Sequence, residues 1–194
     1  MLYPSILKTL LEELLRKIQD GSACQSVAIR LSEDGDFPYY VQMGFSDFFI
    51  QKEKTLNARN EKGQLILDSD GTPFVECMCG NVLMNKFNPK RSYFTKTGAF
   101  WTNSTTQLLK SFTEAEKQEV GKTRNTCHNY GYESVALIPI HAKNKNIGLV
   151  QINDPRENMF TLGSVERFQL LADHVGVIVT SVLEFYEDAE KLLS

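Results

Sequence analysis

The feature that most constrains this chain is a pair of apolar segments joined by a short polar turn. Ser134 to Ile140 reads Ser-Val-Ala-Leu-Ile-Pro-Ile, and Ile147 to Ile152 returns after Lys143-Asn144-Lys145-Asn146. A strand with one wet face alternates apolar and polar residues. A nearly continuous apolar run does not, so the first of these strands is expected to be buried on both faces. Pro139 lacks an amide hydrogen, and a bulge or a sheet edge is expected at that point.

Helical periodicity brackets the chain. Leu7, Leu11, Leu14 and Ile18 recur at steps of four and three, with Leu10 and Leu15 widening the stripe, which predicts a helix over residues 1–20. Thr161 can cap a long final helix over 162–192, whose apolar positions Val165, Phe168, Ala172, Val175, Val179, Val182 and Tyr186 step by three and four. That stripe fits a helix packed on its own sheet and on the first helix, or the seam of a parallel dimer. Ile178 and Leu183 lie off it, so one helix can serve both purposes. The chain stops at Leu192-Leu193-Ser194 where the helix would continue, which fits a domain cut from a longer protein as well as a complete one.

Between the helices, Cys24 to Leu31 and Tyr39 to Met43 read as a hairpin, with Val27, Ile29 and Leu31 on one face and Ala28 and Arg30 on the other. Ser46 can cap a short helix through Phe48, Phe49 and Ile50. Residues 57–72 read as a surface hairpin turning at Lys62-Gly63 and Asp70-Gly71. Asp68-Ser69-Asp70-Gly71 lacks the remaining ligands of a calcium loop and is read as a turn. Thr113 with Glu116 forms a capping box for a helix from Glu114 to Val120. The stretch from Phe74 to Tyr132 is the least regular. These elements place the chain in the α/β (α+β) class as a single domain spanning residues 1–194.

Composition narrows the partners. A formal charge of −3, with scattered lysines and arginines, offers no basic face for nucleic acid. No continuous apolar run of about 20 residues is apparent, so no membrane span is expected. The first residues lack a secretory pattern, and a cytoplasmic location is expected. There, Cys24, Cys77, Cys79 and Cys127 would be thiols, ligands or redox groups rather than disulfides.

Several segments carry a family resemblance. Tyr132 to Ile140, then Ile147-Gly148-Leu149-Val150-Gln151-Ile152 and Phe160-Thr161, resemble the last strand pair and final-helix entry of GAF domains. Cys79-Gly80-Asn81-Val82 falls where that family has a glycine turn before its pocket helix, and Trp101-Thr102-Asn103 where a pocket strand is expected. Glu76 to Val82, Phe100 to Thr106 and Thr123 to Cys127 resemble a subgroup found in prokaryotic sensor histidine kinases and related signalling proteins. The resemblance covers roughly residues 5 to 190. It implies a central antiparallel sheet, terminal helices on one face and a ligand pocket on the other. It also implies a non-catalytic sensor in a two-component system, acting as a homodimer through its terminal helices with a histidine kinase or other output module.

The ligand stays open at this stage. Cys77, Cys79, Trp101, Asn103, Arg124, Cys127, Tyr132 and Glu133 are the candidate ligand-binding residues, with Arg30 beside them. Arg124 can fork onto a ligand carboxylate or phosphate, or pair with Glu76 or Glu133. Cys77, Cys79, Cys127 and His128 are a candidate metal set for zinc or iron, since thiolates and imidazole are soft ligands, although Cys-x-Cys converges only through a sharp turn, which Gly80 could supply. The same thiols can instead be buried pocket residues. Resemblance to GAF-containing kinases that bind haem through cysteine adds haem. It also adds an enzymatic alternative, free methionine-(R)-sulfoxide reductase, with Cys79, Cys127 and Glu133 near its catalytic places. Gln151 and Asn153 stand where that enzyme has acidic residues, removing charge that would hold a substrate amine. Cys24, His141 and His174 are read as structural, and Trp101 as core or stacking surface.

Overall fold

Along β1 (Ser26–Leu31), Val27, Ile29 and Leu31 join one apolar cluster while Ala28 joins another. That period of two marks a strand with a core on each side. In the computed structural model, which describes residues 5–193, β1 lies within a five-stranded sheet of order β2-β1-β5-β4-β3. The other strands are β2 (Tyr39–Met43), β3 (Phe100–Thr102), β4 (Ser134–Ala142) and β5 (Lys145–Asp154). Every pairing is antiparallel. Residues 1–4 and 194 lie outside the description, and with them the first positions of the expected 1–20 helix.

The two apolar segments are β4 and β5, and they run side by side in the middle of the sheet as their composition requires. Ala136, Ile138 and Ile140 face one cluster, Val135 and Leu137 the other. Pro139 opposes Leu149 on β5, beyond the end of β3, which covers only Val135, Ala136 and Leu137. The missing amide hydrogen therefore falls where no further strand needs it. The bulge comes one residue later, between Ile140 and His141.

One face carries α1 (Ser5–Ser22) and α7 (Leu162–Leu193). α1 buries Leu7, Leu11, Leu15 and Ile18, so Leu15 takes the fully buried place expected of Leu14. α7 starts at Thr161, whose hydroxyl accepts from Ser164 N at 3.2 Å, and packs on β4 through Val165, Phe168, Ala172, Val175 and Val179. Each such buried aliphatic side chain contributes about 1.5–3 kcal/mol. From Val165 to Val179 the periodic stripe is thus spent on the chain's own sheet, while Val182 is half-buried and Tyr186 exposed. Roughly opposite it on the helix are Leu170, Val177, Phe185 and Leu192, exposed at 62, 65, 70 and 87%. By length and composition α7 is long and apolar enough to cross a membrane, and its sheet-facing side chains are packed in the core.

The other face is built from short helices: α2 (Asp47–Lys52), α3 (Cys77–Leu83), α4 (Thr105–Ser111), α5 (Glu114–Val120) and α6 (Thr126–Asn129). Ser46 caps α2 and Thr113 with Glu116 forms the capping box of α5, both as expected. The surface hairpin is present, with bridges Arg59 to Leu65 and Leu67 to Pro73. Gly80 differs from expectation. It lies inside α3, and a Cβ there would sit 2.1 Å from the carbonyl oxygen of Val75. The glycine serves close packing, not a turn; the unusual backbone belongs to Cys77, at φ +73°.

Candidate functional site

A cavity of about 70 Å³ lies between the sheet and the short helices. Its sheet wall is Phe100, Val135 and Leu137; α4 and the residue after it add Leu108, Leu109 and Phe112. α3 supplies Cys77, Met78 and Cys79, α6 supplies Thr126, Cys127 and His128, and Glu53 closes the side next to α2. Local chemistry explains why these elements meet. Ser104 caps α4 by accepting from Gln107 N at 3.2 Å. Cys77 N donates to Lys122 O at 3.2 Å and Asn81 Nδ2 to Val120 O at 2.8 Å, which ties α3 to the chain leading into α6. Asn125 takes a left-handed conformation at φ +53° to start α6, a backbone that asparagine tolerates better than most residues.

Two of the cavity thiols, Cys79 and Cys127, are held in their protonated form. Burial, reinforced by the nearby Cys77, pushes Cys127 up from 9.0 to about 12. Burial raises Cys79 well above its ordinary value, the neighbouring thiols add to this, and Arg30 opposes it. Cys127 Sγ accepts from Gln151 Nε2 at 3.6 Å, and Gln151 Oε1 accepts from Tyr39 OH at 3.0 Å. Unfolded cysteines ionise first as pH rises, so this contribution is complete below pH 9 and is lost towards about 12. Chemical stability is expected to fall across that window, and Cys127→Ala to flatten part of the fall in urea titrations at successive pH values.

The other sequence candidates sit elsewhere. Trp101 packs with the α1 and α7 cluster, on the far side of the sheet. Asn103 is a brace: its Nδ2 donates to Phe160 O at 2.8 Å and its Oδ1 accepts from Phe160 N at 2.9 Å. Tyr132 packs edge-on against Phe45 and Phe49 and shares a hydrogen bond of 3.0 Å with Ser26 Oγ. Glu133 holds the start of α4, accepting from Thr106 N at 3.0 Å, Thr106 Oγ1 at 2.6 Å and Ser104 Oγ at 2.9 Å. Burial opposes its charge, but these hydrogen bonds outweigh it and keep the carboxyl below its ordinary value. Arg124 pairs with protein carboxylates, Nη2 lying 3.4 Å from Glu53 Oε2 and Nε 3.5 Å from Glu76 Oε1. The pairing with Glu76 is one of the expected ones; Glu53 was missed.

The candidate metal set does not assemble. Cys77, Cys79, Cys127 and His128 all line the cavity, yet among the described residues no three of His, Cys, Asp and Glu converge to hold an ion. His128 Nδ1 is engaged with Thr105 Oγ1 at 3.1 Å. As it stands the cavity is about half the ~150 Å³ that accepts one benzene, so a haem would need the short helices to move apart. Cys24 is core as expected, 3% exposed.

The family model for the GAF domain matches residues 7–179. The chain belongs to the GAF domain family. No curated protein matches it. Solved structures share the GAF fold at low identity. A domain of a two-component sensor histidine kinase protein from Sinorhizobium meliloti is 11% identical with a TM-score of 0.61, over 96% of this chain and 99% of that one. The type II free methionine-R-sulfoxide reductase of Thermoplasma acidophilum is 10% identical with a TM-score of 0.55, over 91% and 94%. The blue-light absorbing PixJ GAF domain of Thermosynechococcus elongatus is 13% identical with a TM-score of 0.55, over 96% and 92%. Within this GAF domain, the cavity lies on the sheet face opposite the terminal helices, as the resemblance implied.

Proposed function

We propose that this GAF domain is a non-catalytic sensor that binds a small molecule in the cavity and passes the change to α1 and α7. One observation carries the reading. The cavity is a partly open cleft lined mainly by apolar side chains and three thiols, directly behind the strand that seats α7. Val135 and Leu137 touch the cavity while their neighbours Ala136 and Ile138 touch the helix side, so one strand separates ligand from output. A ligand that fits one packing of β4 better than another shifts the population of helix positions. The raised thiols favour binding over catalysis, because attack on a sulfoxide needs a thiolate near neutrality. Turnover of free methionine sulfoxide with added thiol is therefore expected to stay at the protein-free rate.

Four free cysteines suit a reducing compartment such as the cytoplasm. The output element is a second copy, with a histidine kinase or other module attached. In this reading the stripe of Leu170, Val177, Phe185 and Leu192 forms the dimer contact, since an exposed apolar row on a long helix is a pairing surface. Val177→Glu is expected to shift sedimentation from dimer to monomer with the fold intact; an unchanged dimer contradicts that assignment.

Native mass spectrometry of gently purified protein tests the binding reading. A small copurifying mass is expected, lost in Val135→Phe, which fills the cavity. The same mass retained at full occupancy in the folded variant contradicts it.

A further inference from the structure

One acceptor in the cavity has no partner. Glu53 lines the cavity and is 4% exposed. Its Oε2 faces Arg124 at 3.4 Å, whereas its Oε1 accepts no hydrogen bond. A buried carboxylate oxygen without a donor is costly, and on a residue that lines a cavity it offers an acceptor to a donor on a guest. His128 Nδ1 is engaged with Thr105, and the Gln151 amide with Cys127 and Asn153, while Arg124 reaches Glu53 only through Oε2 and at ion-pair distance.

We infer that the guest is a short neutral aliphatic molecule with one N–H or O–H donor, an amide or an alcohol. Its donor meets Glu53 Oε1 and its tail lies against Phe100, Leu108 and Leu137. This deepens the ligand reading above and rests on it. Charge selects the neutral form. Arg124 already shares the Glu53 carboxylate, and the fully buried Arg30 donates from Nη2 to the Glu53 carbonyl at 2.5 Å. Arg30 and Arg124 already balance the carboxylates of Glu53 and Glu76, so an ammonium would add an unmatched cation and an anion an unmatched negative charge. Size sets the length, since 70 Å³ holds only a few non-hydrogen atoms.

The test titrates the isotope-labelled full chain with xenon, propionamide and propylammonium, following amide resonances of Cys79, Cys127 and Leu137. Propionamide is expected to bind at least about tenfold more tightly than propylammonium, and Glu53→Leu to weaken it about tenfold. Glu53→Gln keeps a carbonyl acceptor and is expected to stay within about threefold. Xenon needs no donor site and is expected to bind all three proteins within about twofold. Equal or tighter binding of propylammonium, or propionamide binding unchanged in Glu53→Leu, overturns the assignment while xenon still reports an open cavity. Failure of xenon to shift these resonances in the unaltered chain overturns the binding reading itself. Should Glu53→Leu not fold, the amide-to-ammonium ratio and Glu53→Gln decide alone.

Discussion

Arg30→Ala is expected to lower stability by about 4 kcal/mol, seen as a lower urea midpoint at unchanged slope. Arg30 is fully buried on the cavity side of β1. It donates from Nη1 to Phe37 O at 2.7 Å and from Nη2 to Glu53 O at 2.5 Å, and its guanidinium lies 3.6 Å over the Tyr39 ring. Truncation leaves two buried carbonyls unpaired and opens a space between β2 and α2. Arg30→Lys is expected to recover less than half of the loss, because one ammonium cannot reproduce a planar fork that reaches two carbonyls and stacks on a ring. A loss below about 1 kcal/mol for the alanine variant would contradict this account of the buried charge.

Gly176→Ala gives the second large effect, and its sign is diagnostic. Helix propensity alone predicts a gain of about 1 kcal/mol for alanine over glycine in α7. The structure predicts a loss of about 3 kcal/mol instead. A Cβ at position 176 would lie 1.9 Å from the His141 carbonyl oxygen, which is backbone and cannot turn aside. α7 must lift from β4, loosening Val175 and Val179 from the core. A higher melting temperature for this variant would mean that α7 does not sit as closely on the sheet as described.

The frame was legible because it is written in local periods. The doubly apolar β4, the steps of three and four in α1 and α7, and the Thr113 capping box each name their element without tertiary information. The cysteines could be placed near the pocket by family likeness, and Cys77, Cys79 and Cys127 do line it. Other site residues depend on contacts across long separations. Glu53 meets Arg124 seventy-one positions away, and nothing in its neighbourhood marks it as a pocket wall. Leu108, Leu109 and the following Phe112 come from a short helix and its end, whose signal, Ser104 as its cap, is weak beside the nearby tryptophan. Of the two roles read for Trp101, core packing is the one seen, because strand alternation sends Phe100 to the cavity and Trp101 to the helix side. Of the two roles the α7 stripe allowed, packing on its own sheet is the one seen from Val165 to Val179; the row on its far side escaped notice because its members are spaced by seven and eight.

Hydrogen exchange resolved by mass spectrometry, with and without the copurified small molecule, tests the central claim most directly. Slower exchange is predicted in residues 77–83, 105–111 and 126–129, which wall the cavity, together with altered exchange in α7 across the sheet. Protection confined to the outer surface of α7 or the hairpin at 57–72, with the cavity helices unchanged, would contradict it.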